Sequence, residues 1–135
     1  MQYLRLLDEE TAVSMKDSGR KIINIHSSDY EVYDQEGPKQ PEIGWLPLSY
    51  DQDRNGCYAM RLSPGSSTLW HEHAGMEDFL ILEGELIESD GTVLKSGDFV
   101  SYQPGTTHSS RTETGCVLIG FDWGKKPGAE TKSRD

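Results

Sequence analysis

Residues 65–84, GSSTLWHEHAGMEDFLILEG, decide how this chain reads. His71 and His73 stand two apart. On a β-strand that spacing puts both imidazoles on one face, about 6.5–7 Å apart at the backbone. Two ring nitrogens can then meet at one cation, each at about 2.1 Å. Ala74-Gly75-Met76 reverses the chain and Glu77 opens the next strand, which places its carboxylate to reach the same point. Further on, Pro104-Gly105 makes a turn that aims His108 from a distant strand. The chain has 4 histidines, and three of them fall between positions 71 and 108. A His-x-His pair alone is more often structural or surface-exposed than ligating. Glu77 at a fixed offset and a histidine downstream give it the character of a ligand set.

Working outward, short strand-like runs alternate with turns. Strands are expected at 20–26, 42–48, 57–62, 67–73, 77–82, 85–88, 92–94, 99–103, 107–111 and 116–123. Asn55-Gly56 and Asp90-Gly91 are turn signals, and nearby prolines mark 42–48 as an edge. Many short strands at regular intervals predict an all-β sandwich or barrel. Residues 1–19 read as an N-terminal extension with a loose amphipathic pattern, 20–123 as the domain, and 124–135 as a flexible, solvated tail. In 77–82, Phe79 and Ile81 share the face of Glu77, and Leu80 and Leu82 take the other. A strand apolar on both faces is covered on both, either within a sandwich of one chain or by a terminal segment or second subunit. A homodimer is the expectation.

The 135 residues, 15.1 kDa, suffice for one domain. Surface scaling gives about 7,100 Å² folded against about 22,000 Å² unfolded, enough burial for a core without staples. Thirteen basic and 23 acidic residues leave a net charge of -10. That charge repels phosphate backbones and anionic lipid, so neither nucleic acid nor a membrane is an expected partner. No run approaches the ~18 apolar residues of a membrane helix. The start, MQYLRLLDEE, lacks the basic-then-apolar pattern of a secretory signal. Cys57 and Cys116 are too few for a disulfide framework and read as free thiols in a reducing cytoplasm, the expected location.

Gly65, His71, His73, Glu77 and Gly84 stand at the spacings of the first cupin motif. Gly97-Asp98 through Pro104-Gly105 to His108 follows the second. Residues 56–122 thus resemble the cupin superfamily. The runs WHEHAGMEDFLILEGEL and PGTTHSSRTETGC are similar, more narrowly, to the cupin domain of ChrR-type anti-sigma factors and their stand-alone relatives, some assigned as dioxygenases. Gln103 stands where many cupins have a first proline, and Thr112 where an asparagine is frequent; neither position supplies a ligand. The resemblance implies a double-stranded β-helix, a jelly-roll-like barrel, with a metal at its open mouth and frequent homodimers. It carries the ligand role to His71, His73, Glu77 and His108. ChrR-type proteins hold zinc with this set, and their sigma binding needs a separate N-terminal zinc domain. Its His-x-x-x-Cys-x-x-Cys signature does not occur here, so sigma inhibition by this chain alone is not implied.

Three imidazoles and a carboxylate suit one divalent transition metal: iron, zinc, manganese or nickel, with copper also compatible. A metal-free cupin whose histidines touch a ligand directly is the alternative. Tetrahedral zinc would have a closed shell, whereas an octahedral ion keeps two positions open. Phe79, Tyr58, Tyr102, Arg61 and Arg111 are pocket candidates, with wall packing and surface charge as their plainer roles. Cupin lyases that cleave dimethylsulfoniopropionate resemble this motif but carry a tyrosine base at the place of Phe79. Phenylalanine cannot abstract a proton, so that activity is disfavoured. Trp70 packs behind the site by parity, Trp45 and Trp123 belong to core or interface, and His26 is structural. The expected function is a dioxygenase-type metalloenzyme acting on a small chelating molecule such as a diketone. A zinc-holding sensor or ligand-binding module, and an isomerase or lyase of a sugar or small acid, are the alternatives.

Overall fold

A computed structural model describes residues 19–128 and the backbone of 132–133. The N-terminal extension, apart from Gly19, lies outside the described residues. These contain eleven strands and no helix: β1 (Glu31–Tyr33), β2 (Gln40–Pro47), β3 (Gly56–Leu62), β4 (His71–Glu72), β5 (Met76–Glu88), β6 (Val93–Lys95), β7 (Phe99–Tyr102), β8 (Thr107–His108), β9 (Ser110–Arg111), β10 (Cys116–Trp123) and β11 (Lys132–Ser133). Every pairing is antiparallel. The larger sheet runs β1-β2-β3-β10-β5, with β7 on the other edge of β5. The far end of β5 pairs with β6 and β9. A small sheet of β11, β4 and β8 carries two of the histidines. The fold is the all-β, jelly-roll-like cupin barrel.

Several boundaries depart from the sequence expectation, each for a local reason. Runs 77–82 and 85–88 are one continuous strand, β5. Gly84 takes φ +78 and the register with β10 slips opposite Val117 and Leu118, so the chain bends through a bulge instead of ending. Run 42–48 is not an edge, because β2 lies between β1 and β3. Its prolines are harmless there: Pro41 falls where the register with β1 shifts, and Pro47 ends the strand. Run 20–26 forms no strand. The Asn24 carboxamide accepts the backbone N–H groups of His26 and Ser27, which closes a turn instead. Run 67–73 keeps only β4. Run 107–111 divides into β8, paired with β4, and β9, paired with β5.

Alternation along β3, β5 and β10 sends Tyr58, Met60, Leu62, Phe79, Ile81, Cys116 and Leu118 inward. Trp45 stacks on Tyr58 with ring centroids 4.5 Å apart. Gly120 gives the Tyr58 ring its space, since a Cβ there would lie 2.1 Å from it. Cys57 and Cys116 are free thiols, and burial pushes Cys116 up to about 12. On the outer face Leu80, Phe99, Phe121 and Trp123 remain exposed; this is the face on which the sequence expects a second subunit. The start of the supposedly solvated tail is tied down. Lys125 exchanges backbone bonds with the Asn55 carboxamide, and its ammonium reaches Asp122 at 3.1 Å.

A Cβ on Gly84 would lie 2.0 Å from the Gly115 carbonyl oxygen, whereas one on Gly91, also at positive φ, meets nothing. Gly91→Ala is expected to cost about 1 kcal/mol, the backbone strain alone. Gly84→Ala adds a clash that only backbone movement relieves, and is expected to cost at least about 3 kcal/mol. Urea unfolding of the two variants measures the difference.

Candidate metal centre

Pairing of β4 with β8 sets His71 directly opposite His108. His73 lies one residue beyond β4, held by backbone bonds to Thr106 and Gly105, each 2.9 Å. Glu77 enters from β5, across the barrel. One donor atom from each of the four lies within 4.8 Å of the others. His108 Nε2 is 3.1 Å from His71 Nε2, His73 Nε2 is 3.2 Å from Glu77 Oε1, and His108 Nε2 is 3.4 Å from the same oxygen. Donors about 2.1 Å from a shared ion stand about 3.0 Å apart at right angles and about 3.4 Å apart at tetrahedral angles. The separations fall in that range, so the cluster is compatible with one metal ion.

The other ring nitrogens explain the convergence. His71 Nδ1–H donates to the Leu69 carbonyl at 2.9 Å. His73 Nδ1 meets Thr106 Oγ1 at 2.9 Å. That hydroxyl spends its own proton on the Gln103 carbonyl at 2.7 Å, so it accepts from the imidazole. His108 Nδ1–H donates to Glu88 Oε1 at 2.8 Å. All three rings therefore carry the proton on Nδ1 and point Nε2 inward, the arrangement a metal requires.

Electrostatics follows. Burial pulls His71 down to about 4, despite the neighbouring Glu77. Burial also opposes charging of His108, but hydrogen bonds to Glu77 and Glu88 outweigh it and raise it to about 9. Burial would raise Glu77, yet His108 and His73 hold it well below the carboxylate range. Without metal, a proton on His108 relieves the crowding of lone pairs. A metal ion competes with that proton.

Part of the cluster borders two pockets. One is lined mainly by apolar groups, among them Met60, Leu62, Phe79, Leu86 and Leu118. The other is polar, with Glu36, Tyr50, Arg54 and Asp122 on its walls. Tyr33, Tyr58, His71 and Glu77 border both.

Of the sequence-derived pocket candidates, Tyr58 and Phe79 line the voids. Tyr102 does not; it packs on the His108 ring at 4.4 Å and gives its hydroxyl to Glu88. Arg61 points outward, 4.2 Å above the Tyr30 ring, because odd positions of β3 face away from the barrel. Arg111 is exposed and pairs with Glu113. His26 is exposed in its turn, away from the cluster. Sequence reading missed Glu36, Arg54, Glu88 and Asp122. Parity offered a signal for two: Asp122 shares the inward phase of Leu118, and Glu88 that of Leu86. Glu36 and Arg54 lie in loops, where no period applies.

Glu36 accepts the Tyr33 hydroxyl, and burial lifts it to about 7. Its folded value lies above the ordinary 4.5, so the folded state holds this proton longer than the unfolded one. The stability it contributes is complete below about pH 4.5 and is lost as pH rises through 7, about 3 kcal/mol in all. Glu36→Gln keeps an acceptor for Tyr33 without the charge. In metal-free protein it is expected to lessen the fall of stability between pH 5 and 8, and to unfold at higher urea than wild type at pH 8.

Residues 22–124 match the family model of the ChrR cupin-like domain. No curated protein sequence matches the chain. Among solved structures, a cupin-like protein of Thermotoga maritima is 22% identical with TM-score 0.62, over 68% of this chain and 75% of that one. An RmlC-like cupin protein of Ralstonia eutropha is 12% identical with TM-score 0.66, over 88% and 82%. An acetylacetone dioxygenase of Acinetobacter johnsonii is 16% identical with TM-score 0.60, over 76% and 74%. At these identities the likeness is one of fold. The family match spans most of the chain and includes all four clustered residues, and this chain belongs to the ChrR cupin-like domain family.

Proposed function

We propose that the chain is a mononuclear metal-binding cupin acting as a dioxygenase-type enzyme on a small, chelating, oxygenated molecule such as a β-diketone. The observation that carries this reading is the convergence of three Nε2 atoms and Glu77 Oε1, with His71, Glu77 and His108 also lining an apolar pocket. His71, His73, Glu77 and His108 would hold the ion. An octahedral ion with four protein donors keeps two further positions, through which it would activate a chelating substrate toward dioxygen.

The protein's own groups define the rest. Met60, Leu62, Phe79, Leu86 and Leu118 exclude water and receive the apolar end of a ligand. Phe79, buried beside the cluster, offers no proton-transferring group. Glu36, Asp122 and Arg54 line the polar pocket together, so it offers a ligand both carboxyl groups and a guanidinium. A second reading, a zinc-holding module without turnover, is favoured by the 3.4 Å separation, which suits tetrahedral coordination as well.

Metal analysis and oxygen uptake separate the two. Purified protein is expected to hold one iron or similar ion per chain and to consume dioxygen with acetylacetone, the substrate named for a protein of the same fold. Stoichiometric zinc and no uptake, also after iron loading, would sink the dioxygenase reading and leave the zinc module. His71→Ala is expected to reduce metal content at least tenfold while the far-ultraviolet circular dichroism stays that of wild type. Full metal occupancy in that variant would overturn the ligand assignment.

A further inference from the structure

We infer that Glu88 is a positioning residue for the metal site: it holds the His108 imidazole in its ligating tautomer and makes it the strongest donor of the set. The inference rests on the metal-binding reading above and concerns a residue outside the ligand cluster.

Glu88 is the last residue of β5 and sits opposite Ser110 of β9. Its side chain is 3% exposed. Three protein donors surround the carboxylate. Oε1 accepts His108 Nδ1–H at 2.8 Å and the Tyr102 hydroxyl at 2.5 Å, and Oε2 accepts the Ser110 hydroxyl. A buried carboxylate is costly unless its hydrogen bonds are filled. Here they are, and one donor is an imidazole whose other nitrogen points into the cluster.

The three histidines are not tethered alike. His71 leans on a backbone carbonyl and His73 on a threonine hydroxyl, both neutral. His108 alone among them has an anionic partner at its Nδ1–H. An anion there draws the Nδ1 proton toward itself and enriches the ring, which strengthens Nε2 as a donor. It also fixes the ring plane, because Tyr102 and Ser110 leave the carboxylate little freedom to turn. The same contacts explain Tyr102: its hydroxyl supports Glu88, not a ligand in the pocket.

Zinc competition against a chromophoric chelator, with Co²⁺ absorption as a second readout, tests this on the full chain. Glu88→Gln preserves shape and an acceptor oxygen but removes the charge. It is expected to bind zinc about 10–100-fold more weakly than wild type and to shift the cobalt bands. Glu88→Ala removes orientation as well, and is expected to lose more. Folded Glu88→Gln that binds zinc as wild type does, with an unchanged cobalt spectrum, would overturn the inference and leave the metal reading intact. Wild type that binds neither metal would overturn both. Nitrogen-edited NMR of histidine-labelled, zinc-loaded wild type is independent of whether the variants fold. It is expected to find His108 protonated at Nδ1 and ligated through Nε2; the opposite tautomer would refute the role of Glu88.

Discussion

Three imidazole nitrogens and a carboxylate crowd within 4.8 Å of one another, with all three rings buried. Each Nε2 presents a lone pair because each Nδ1 is already committed as a donor. Such an array repels itself unless a cation sits in it. Only a proton or a metal ion is small enough, and the rise of His108 to about 9 marks where the proton goes in the free protein. The protein holds the array together from behind. Thr106, the Leu69 carbonyl and Glu88 fix the rings by their outer nitrogens, so the inner ones have no alternative direction.

The barrel brings these four groups across a gap that no single strand could close. His71 and His108 meet by cross-strand pairing, the shortest route available in a sheet. Glu77 must come from the facing side. Strand β5 supplies it, passes through the bulge at Leu82, and ends at Glu88 behind His108. One strand thus delivers a candidate ligand at its first turn of the barrel and that ligand set's anionic support at its last. A strand ended at Leu82, as the sequence pattern suggests, would carry Glu77 without fixing where Glu88 falls relative to it.

That contrast defines how far the sequence could be read. Ligand spacing is legible because it is local: His71, His73 and Glu77 are within seven positions, and strand parity carries them to one side. The family motif extended this to His108. Pocket identity is not local. Chemical suitability alone proposes Arg61 and Arg111, yet both sit on outward phases of their strands. Parity alone would have excluded Arg61, since Tyr58, Met60 and Leu62 are the inward set of β3. Glu36 and Arg54 reach the polar void from loops, where conformation depends on contacts far along the chain, such as the Arg54 bond to the Gln35 carbonyl. Strand 20–26 failed for a similar reason: its β-branched residues met one asparagine able to close a turn.

The interior acids divide into two groups, and the division bears on what the site accepts. Glu77 and Glu88 each lie against histidine donors that outweigh the cost of burial, and both are held below the ordinary carboxylate range. Glu36 and Asp122 lack such donors. Burial lifts them to about 7 and about 6, with Lys125 only partly offsetting the rise of Asp122. Negative charge is therefore fixed around the cluster, where a divalent ion would neutralise it, and is readily discharged in the polar void beyond. A ligand that presented an anionic group to that void would meet two carboxyls and the guanidinium of Arg54. One that presented a neutral carbonyl or hydroxyl would find both an acid and a base within the same wall. On the proposed reading, the anionic oxygen of a chelating substrate would sit at the cluster, and its apolar remainder in the pocket lined by Met60, Phe79 and Leu118. The separation of these surfaces, more than the volume of either, is what would orient a small asymmetric ligand.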